Sequence, residues 1–186
     1  MNDFKRNQIE VEKGNEKYLQ YIRTHCENVQ KMFQDLFLSR IDELEEKLSD
    51  IPDLREAIMT AKTQVVDHDL SKYSDEEFDA YRIRFYPTPY ETRTMSKELM
   101  EEKFLEAWKH HCMNNPHHPK YWSDENGKPT DMDLADIIHM ICDWAAMSYQ
   151  KGGTVIEWYS TKAEEEKSEM TDHTKEIVQK FLDVLF

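Results

Sequence analysis

Residues 131–150 read DMDLADIIHMICDWAAMSYQ, and this stretch decides the fold class. At helical spacing Leu134, Ile137, Ile141 and Ala145 line one side, while Met132, Asp136, His139, Asp143 and Met147 line another. A helix that turns inward on both sides is buried among other elements. Its second stripe carries Asp136, His139 and Asp143, and burying a carboxylate is costly unless it is paired or bound to a metal.

Working outward, a helix is expected over Glu16 to Leu38, with Tyr18, Ile22, His25, Val29, Met32 and Leu36 on its inner face. Further helices are expected over Ile41 to Leu48 and Pro52 to Val66, the latter ending at Asp67, His68 and Asp69. Ser74 with Glu77 reads as a capping box opening a helix through Arg84, which Pro87 and Pro89 end. Ser96 caps the next helix, to Met113, whose inner face holds Phe104, Ala107, Trp108 and His111 while His110 aligns with Lys103 and Glu106. Asn114 to Pro119 is a loop, and Asn126-Gly127 marks the strongest turn. Gly152-Gly153 closes the central helix, and a terminal helix bears Ile177, Phe181 and Val184.

Four glycines and six prolines in 186 residues suit helices with short connections. The expected fold is therefore all-α: a single-domain helical bundle, with a metal-site core over about 18–150 and a C-terminal helical extension over 155–186. A net charge of −14 opposes bulk nucleic-acid binding and anionic membranes, yet a small anionic substrate can still bind where cations reverse the local field. No apolar run approaches eighteen residues and none follows the N-terminal basic residues, so no membrane span or secretion signal is expected. Cys26, Cys112 and Cys142 form no CxxC pair, which argues against a disulfide framework or zinc ribbon and points to a reducing cytoplasm. The apolar terminal stripe suits an internal contact or a homodimer equally.

The chemistry lies in the histidines. Seven of the eight histidines lie in four clusters, His25, His68, the run His110, His111, His117 and His118, and His139, and only His173 stands apart. Imidazole nitrogen with carboxylate oxygen suits Zn, Fe, Mn, Co and Ni, and the neighbours His68 and Asp69 can serve one ion or two. Asp136 and His139 share the stripe of Asp143 and can orient ligands or relay protons, as can His110.

His25, then His68-Asp69, then Asp143 on a later buried helix resembles the H…HD…D signature of HD-domain metal-dependent phosphohydrolases. HDLSK, with Lys72, is similar to the HDxxK run of HD-domain cyclic-dinucleotide phosphodiesterases and of the inositol oxygenase branch. The resemblance implies an HD-type bundle with His25, His68, Asp69 and Asp143 as metal ligands. It also implies that WKHHCMNNPHHPKYW supplies His111, His117 and His118 toward a second ion. HDLSKYSDEEFDAYRIRFYP, AWKHHCMNNPHHPKYW and MICDWAAMSY resemble, in addition, an uncharacterised family of bacterial and phage proteins, over about Tyr18 to Tyr149.

On this resemblance the expected function is metal-dependent hydrolysis of a nucleotide or other small phosphate ester by a metal-activated water. Asp69 and Lys72 are the expected catalytic groups, Lys72 acting on phosphoryl charge. Arg82, Arg84, Lys120 and Tyr121 are expected to contact substrate, and Tyr73, Tyr86 and Trp122 offer further aromatic faces for a base. A di-iron oxygenase and a non-catalytic, metal-stabilised binding module are the alternatives.

Overall fold

The computed structural model describes residues 3–161 and 163–186 and is all-α, with no strand among those residues. Its helices are α1 (Asp3–Leu36), α2 (Ile41–Lys47), α3 (Leu54–Gln64), α4 (Phe78–Phe85), α5 (Pro89–Thr94), α6 (Lys97–Asn114), α7 (Leu134–Lys151), α8 (Val155–Thr161), α9 (Glu164–Ser168) and α10 (Asp172–Leu185). No helix among the described residues is long and apolar enough to cross a membrane. Two compact units form: one runs up to Thr24 and from Asp69 to Asn114, the other comprises His25–His68 and Asn115–Phe186.

The second unit contains the main apolar core, and α7 runs through it. Every residue from Ala135 to Cys142 is buried, as a helix with two inward stripes requires. α3 packs on α7, and Met132 N–H donates to Thr174 Oγ1 at 3.2 Å just before α7 begins. Gly152 ends α7 in the left-handed region (φ +71°), where a side chain would be strained. The expected C-terminal extension joins this same core, although its residue 162 lies outside the described residues. Phe181 is 0 % exposed and meets the Phe37 ring edge-on at 5.5 Å, while Ile177 and Val184 pack against the core from its margin.

The first unit packs aromatic rings around Tyr18, which meets Phe78 at 5.2 Å and Tyr86 at 6.3 Å. At Gly14 a β-carbon would lie 3.3 Å from the Tyr86 carbonyl oxygen, so glycine permits that close approach to α1. Two local readings are corrected here. Ser74 and Glu77 form no capping box: α4 begins without a side-chain cap, because the Glu77 carboxylate turns inward to His110 and His111. Pro89 opens rather than ends a helix, standing at the start of α5 behind a true capping box in which Thr88 and Glu91 satisfy each other's backbone N–H groups.

Candidate metal centre

Four elements of the second unit bring their histidines together. His25 comes from α1 and His68 from the end of the short turn Val65–Asp67 after α3. His117 comes from the loop after α6, and His139 and Asp143 stand one turn apart on α7. Cys26 Sγ donates to the His68 carbonyl at 3.3 Å and ties that turn to α1.

His68 is the hub. Its Nδ1 lies 2.9 Å from Nε2 of His139, and its Nε2 lies 3.1 Å from Nε2 of His25. Asp143 Oδ1 is 3.0 Å from His25 Nε2 and 3.9 Å from His68 Nε2. The His117 ring lies 4.7 Å from that of His68 and 4.5 Å from that of His139, with His118 at 4.4 Å from His117. Ligand atoms of His68, His117 and His139, all buried, fall within 4.8 Å of one another. Burial works to raise the Asp143 carboxyl, but His25, His68 and His117 hold it well below the usual carboxylate range, so it is an anion. Imidazole nitrogens around one partly buried carboxylate are a donor set that suits a divalent transition metal. Buried His/Asp clusters of this kind can hold a metal ion.

The first unit contains its own cluster. Asp69 adopts φ +60°, a backbone state that an aspartate tolerates better than most residues. One Asp69 oxygen pairs with Lys72 Nζ, the other lies 3.2 Å from His111 Nε2. On the far side of the ring, Nδ1 of His111 donates to Glu77 Oε2 at 2.9 Å and lies 3.1 Å from Ser71 Oγ. His110 Nδ1 takes the other Glu77 oxygen at 2.8 Å. Burial opposes charge on His111, yet the flanking Asp69 and Glu77 raise its pKa overall. Burial likewise pushes up Glu77, but bonds from His111 and His110 hold it below its ordinary value. The nearby Tyr18 and Tyr81 phenols are pushed far up, by burial first and then by the Asp69 and Glu77 carboxylates, and they stay neutral.

Among the expected ligands, His25, His68, His117, His118 and Asp143 thus belong to the second unit's cluster, Asp69 and His111 to the first's. His139, expected to orient ligands or relay protons, stands among the ligand-capable nitrogens themselves. Asp136 does not join them: it accepts from Gln64 Nε2 at 3.1 Å. Arg82, expected to receive phosphate, is instead buried in a two-pronged ion pair with Glu91. Arg84 pairs with Glu101 at 2.9 Å and lies over Phe104, and Lys120 pairs with Glu169 at 3.2 Å. Tyr121 is exposed, with its ring against Trp122. Tyr86 packs on Tyr18, and Trp122 Nε1 donates to the Pro116 carbonyl, so packing explains both. Sequence reading missed Glu77; its capping-box spacing concealed a buried carboxylate facing two histidines.

Fold and site together define an all-α protein with buried His/Asp clusters able to hold metal. The chain belongs to a family of unknown function (DUF5662), which it matches over residues 14–184. Neither a curated protein nor a solved structure matches it.

Proposed function

We propose that this protein is a metal-dependent phosphohydrolase acting on a nucleotide or other small phosphate ester. The grouping of His25, His68 and Asp143 carries the reading: residues from α1, the turn after α3, and α7 meet within 3.0 to 3.9 Å. They are three of the four positions of the HD-type signature. The fourth, Asp69, follows His68 in the chain and is buried with Lys72 and His111.

His25, His68 and Asp143, with His117 or His139, would hold the metal, which is Mn, Fe, Co, Ni or Zn by donor chemistry. A divalent metal held there would supply a water of pKa near about 7 as nucleophile for a phosphorus centre. The chain's own groups do the rest. Asp143 offsets cationic charge, and His139 holds the ring of His68 through Nδ1. The Lys72 ammonium, paired to Asp69 and 5.6 Å over the Tyr81 ring, would act on phosphoryl charge. The net charge of −14 favours a small substrate over a polyanion.

The test is elemental analysis of tag-free protein, followed by a phosphomonoester and phosphodiester screen with each metal. Bound metal with metal-dependent phosphate release is expected. Protein that takes up none of these metals, or hydrolyses nothing when loaded, overturns the reading. Iron with oxygen uptake and no phosphate release replaces it with the oxygenase alternative, and tight ligand binding without turnover replaces it with the binding module.

A further inference from the structure

Behind His111 lies a carboxylate that this chemistry leaves unused. Glu77 is 0 % exposed, and each of its oxygens faces an imidazole of α6: Oε2 faces Nδ1 of His111 at 2.9 Å, Oε1 faces Nδ1 of His110 at 2.8 Å. A carboxylate has no proton to give, so Nδ1 of His111 must carry the N–H. The nitrogen left to face Asp69 Oδ1, at 3.2 Å, is Nε2. The two contacts explain each other, because a ring pinned at Nδ1 cannot swing its Nε2 away from Asp69. Metal-binding imidazoles commonly give their second N–H to a carboxylate, which sets the tautomer and raises the basicity of the ligating nitrogen. A capping role would have left Glu77 at the helix surface; instead α4 begins uncapped and the charge is buried.

We propose that Glu77 is a positioning residue: through Nδ1 of His111 it fixes that ring's orientation and tautomer, so that Nε2 and the Asp69 carboxylate face a shared cation position. The proposal rests on the metal-dependent reading and deepens it. Glu77 itself touches neither cation nor substrate. His110, bonded to its second oxygen, keeps the carboxylate from rotating away.

The test uses full-length protein, cleared of metal with a chelator, and Zn²⁺ as the probe. Side-chain ¹⁵N NMR reads the His111 nitrogens while calorimetry reads the affinity. In the wild-type protein His111 keeps its Nδ1 proton throughout, and its Nε2 moves to a metal-bound shift as zinc is added. Glu77→Gln keeps the volume but offers one acceptor oxygen where two are needed. It is expected to lose the fixed Nδ1–H signature and to bind zinc about tenfold or more weakly, with helicity unchanged. The wild-type spectrum alone, independent of how the variant folds, overturns the proposal if Nδ1 of His111 is bare. Zinc binding that is unchanged in Glu77→Gln, or that leaves Nε2 unshifted, overturns this proposal alone. A wild-type protein that binds no zinc and no other transition metal overturns the metal reading, and this proposal with it.

Discussion

Nε2 of His25 lies 3.0 Å from Oδ1 of Asp143, although α1 opens the described chain and α7 comes more than a hundred residues later. The pair is buried on the histidine side, while the Asp143 side chain keeps 15 % of its surface.

From that relationship follows the first prediction. His25→Ala and Asp143→Ala each remove one donor and leave its partner unbalanced, so both should lower metal affinity by more than tenfold. His173→Ala, on the outer face of α10, should leave metal content unchanged. Elemental analysis after dialysis of the three proteins decides it: equal metal in all three removes the second unit's cluster from the site.

Asp69 and Lys72 form an ion pair, yet their losses should differ. Asp69→Asn keeps the volume and tolerates φ +60° at least as well, so helicity should survive while metal content and turnover fall. Lys72→Ala should retain metal and lose turnover, because an ammonium is no ligand. An Asp69→Asn protein with full metal and full activity would exclude Asp69 from the chemistry.

Burial raises the Asp136 carboxyl to about 6, helped by the Asp133 charge and opposed by the Gln64 bond. An unfolded aspartate loses its proton near pH 4, so between about pH 4 and 6 the native state holds a proton that the unfolded state has lost. Stability must then fall as pH rises across that window, and the penalty is complete above it. Asp136→Asn, which still accepts from Gln64, should remove a penalty on the order of 3 kcal/mol at pH 7, less a few tenths for the lost charge near the start of α7. Urea unfolding with chelator present tests this. A wild-type–variant difference that stays flat from pH 4 to 7 contradicts it.

The Arg82–Glu91 pair is a structural contact with its own expected magnitude. Arg82 is 3 % exposed, and both arms of its guanidinium bond Glu91. Glu91→Ala strands the buried cation and should cost about 3–5 kcal/mol. Replacing both with apolar residues of similar volume should recover most of that. A loss under about 1 kcal/mol for the single variant would mean that water reaches the pair.

How far the sequence could be read depends on the kind of interaction at stake. Helical periodicity was enough to show that α7 is buried on two faces and that His111, not His110, is the inward member of its pair, because those facts follow from the angle between neighbours on one helix. The caps at Ser96 and Gly152 were legible for the same reason, since both are satisfied within a few residues. Partner choice was not legible. Glu77 has the spacing of a cap and Arg82 the look of a phosphate contact, but Glu77 is claimed by His110 and His111, more than thirty residues on, and Arg82 by Glu91 on the next helix. Likewise no local pattern pairs His68 with Asp143, or Asp69 with His111, although each pair meets in the fold. Local pattern determines which face of a helix leaves water. Which charge meets which is decided only when distant segments pack, because a buried ionic group takes whatever partner the tertiary structure brings within hydrogen-bond reach.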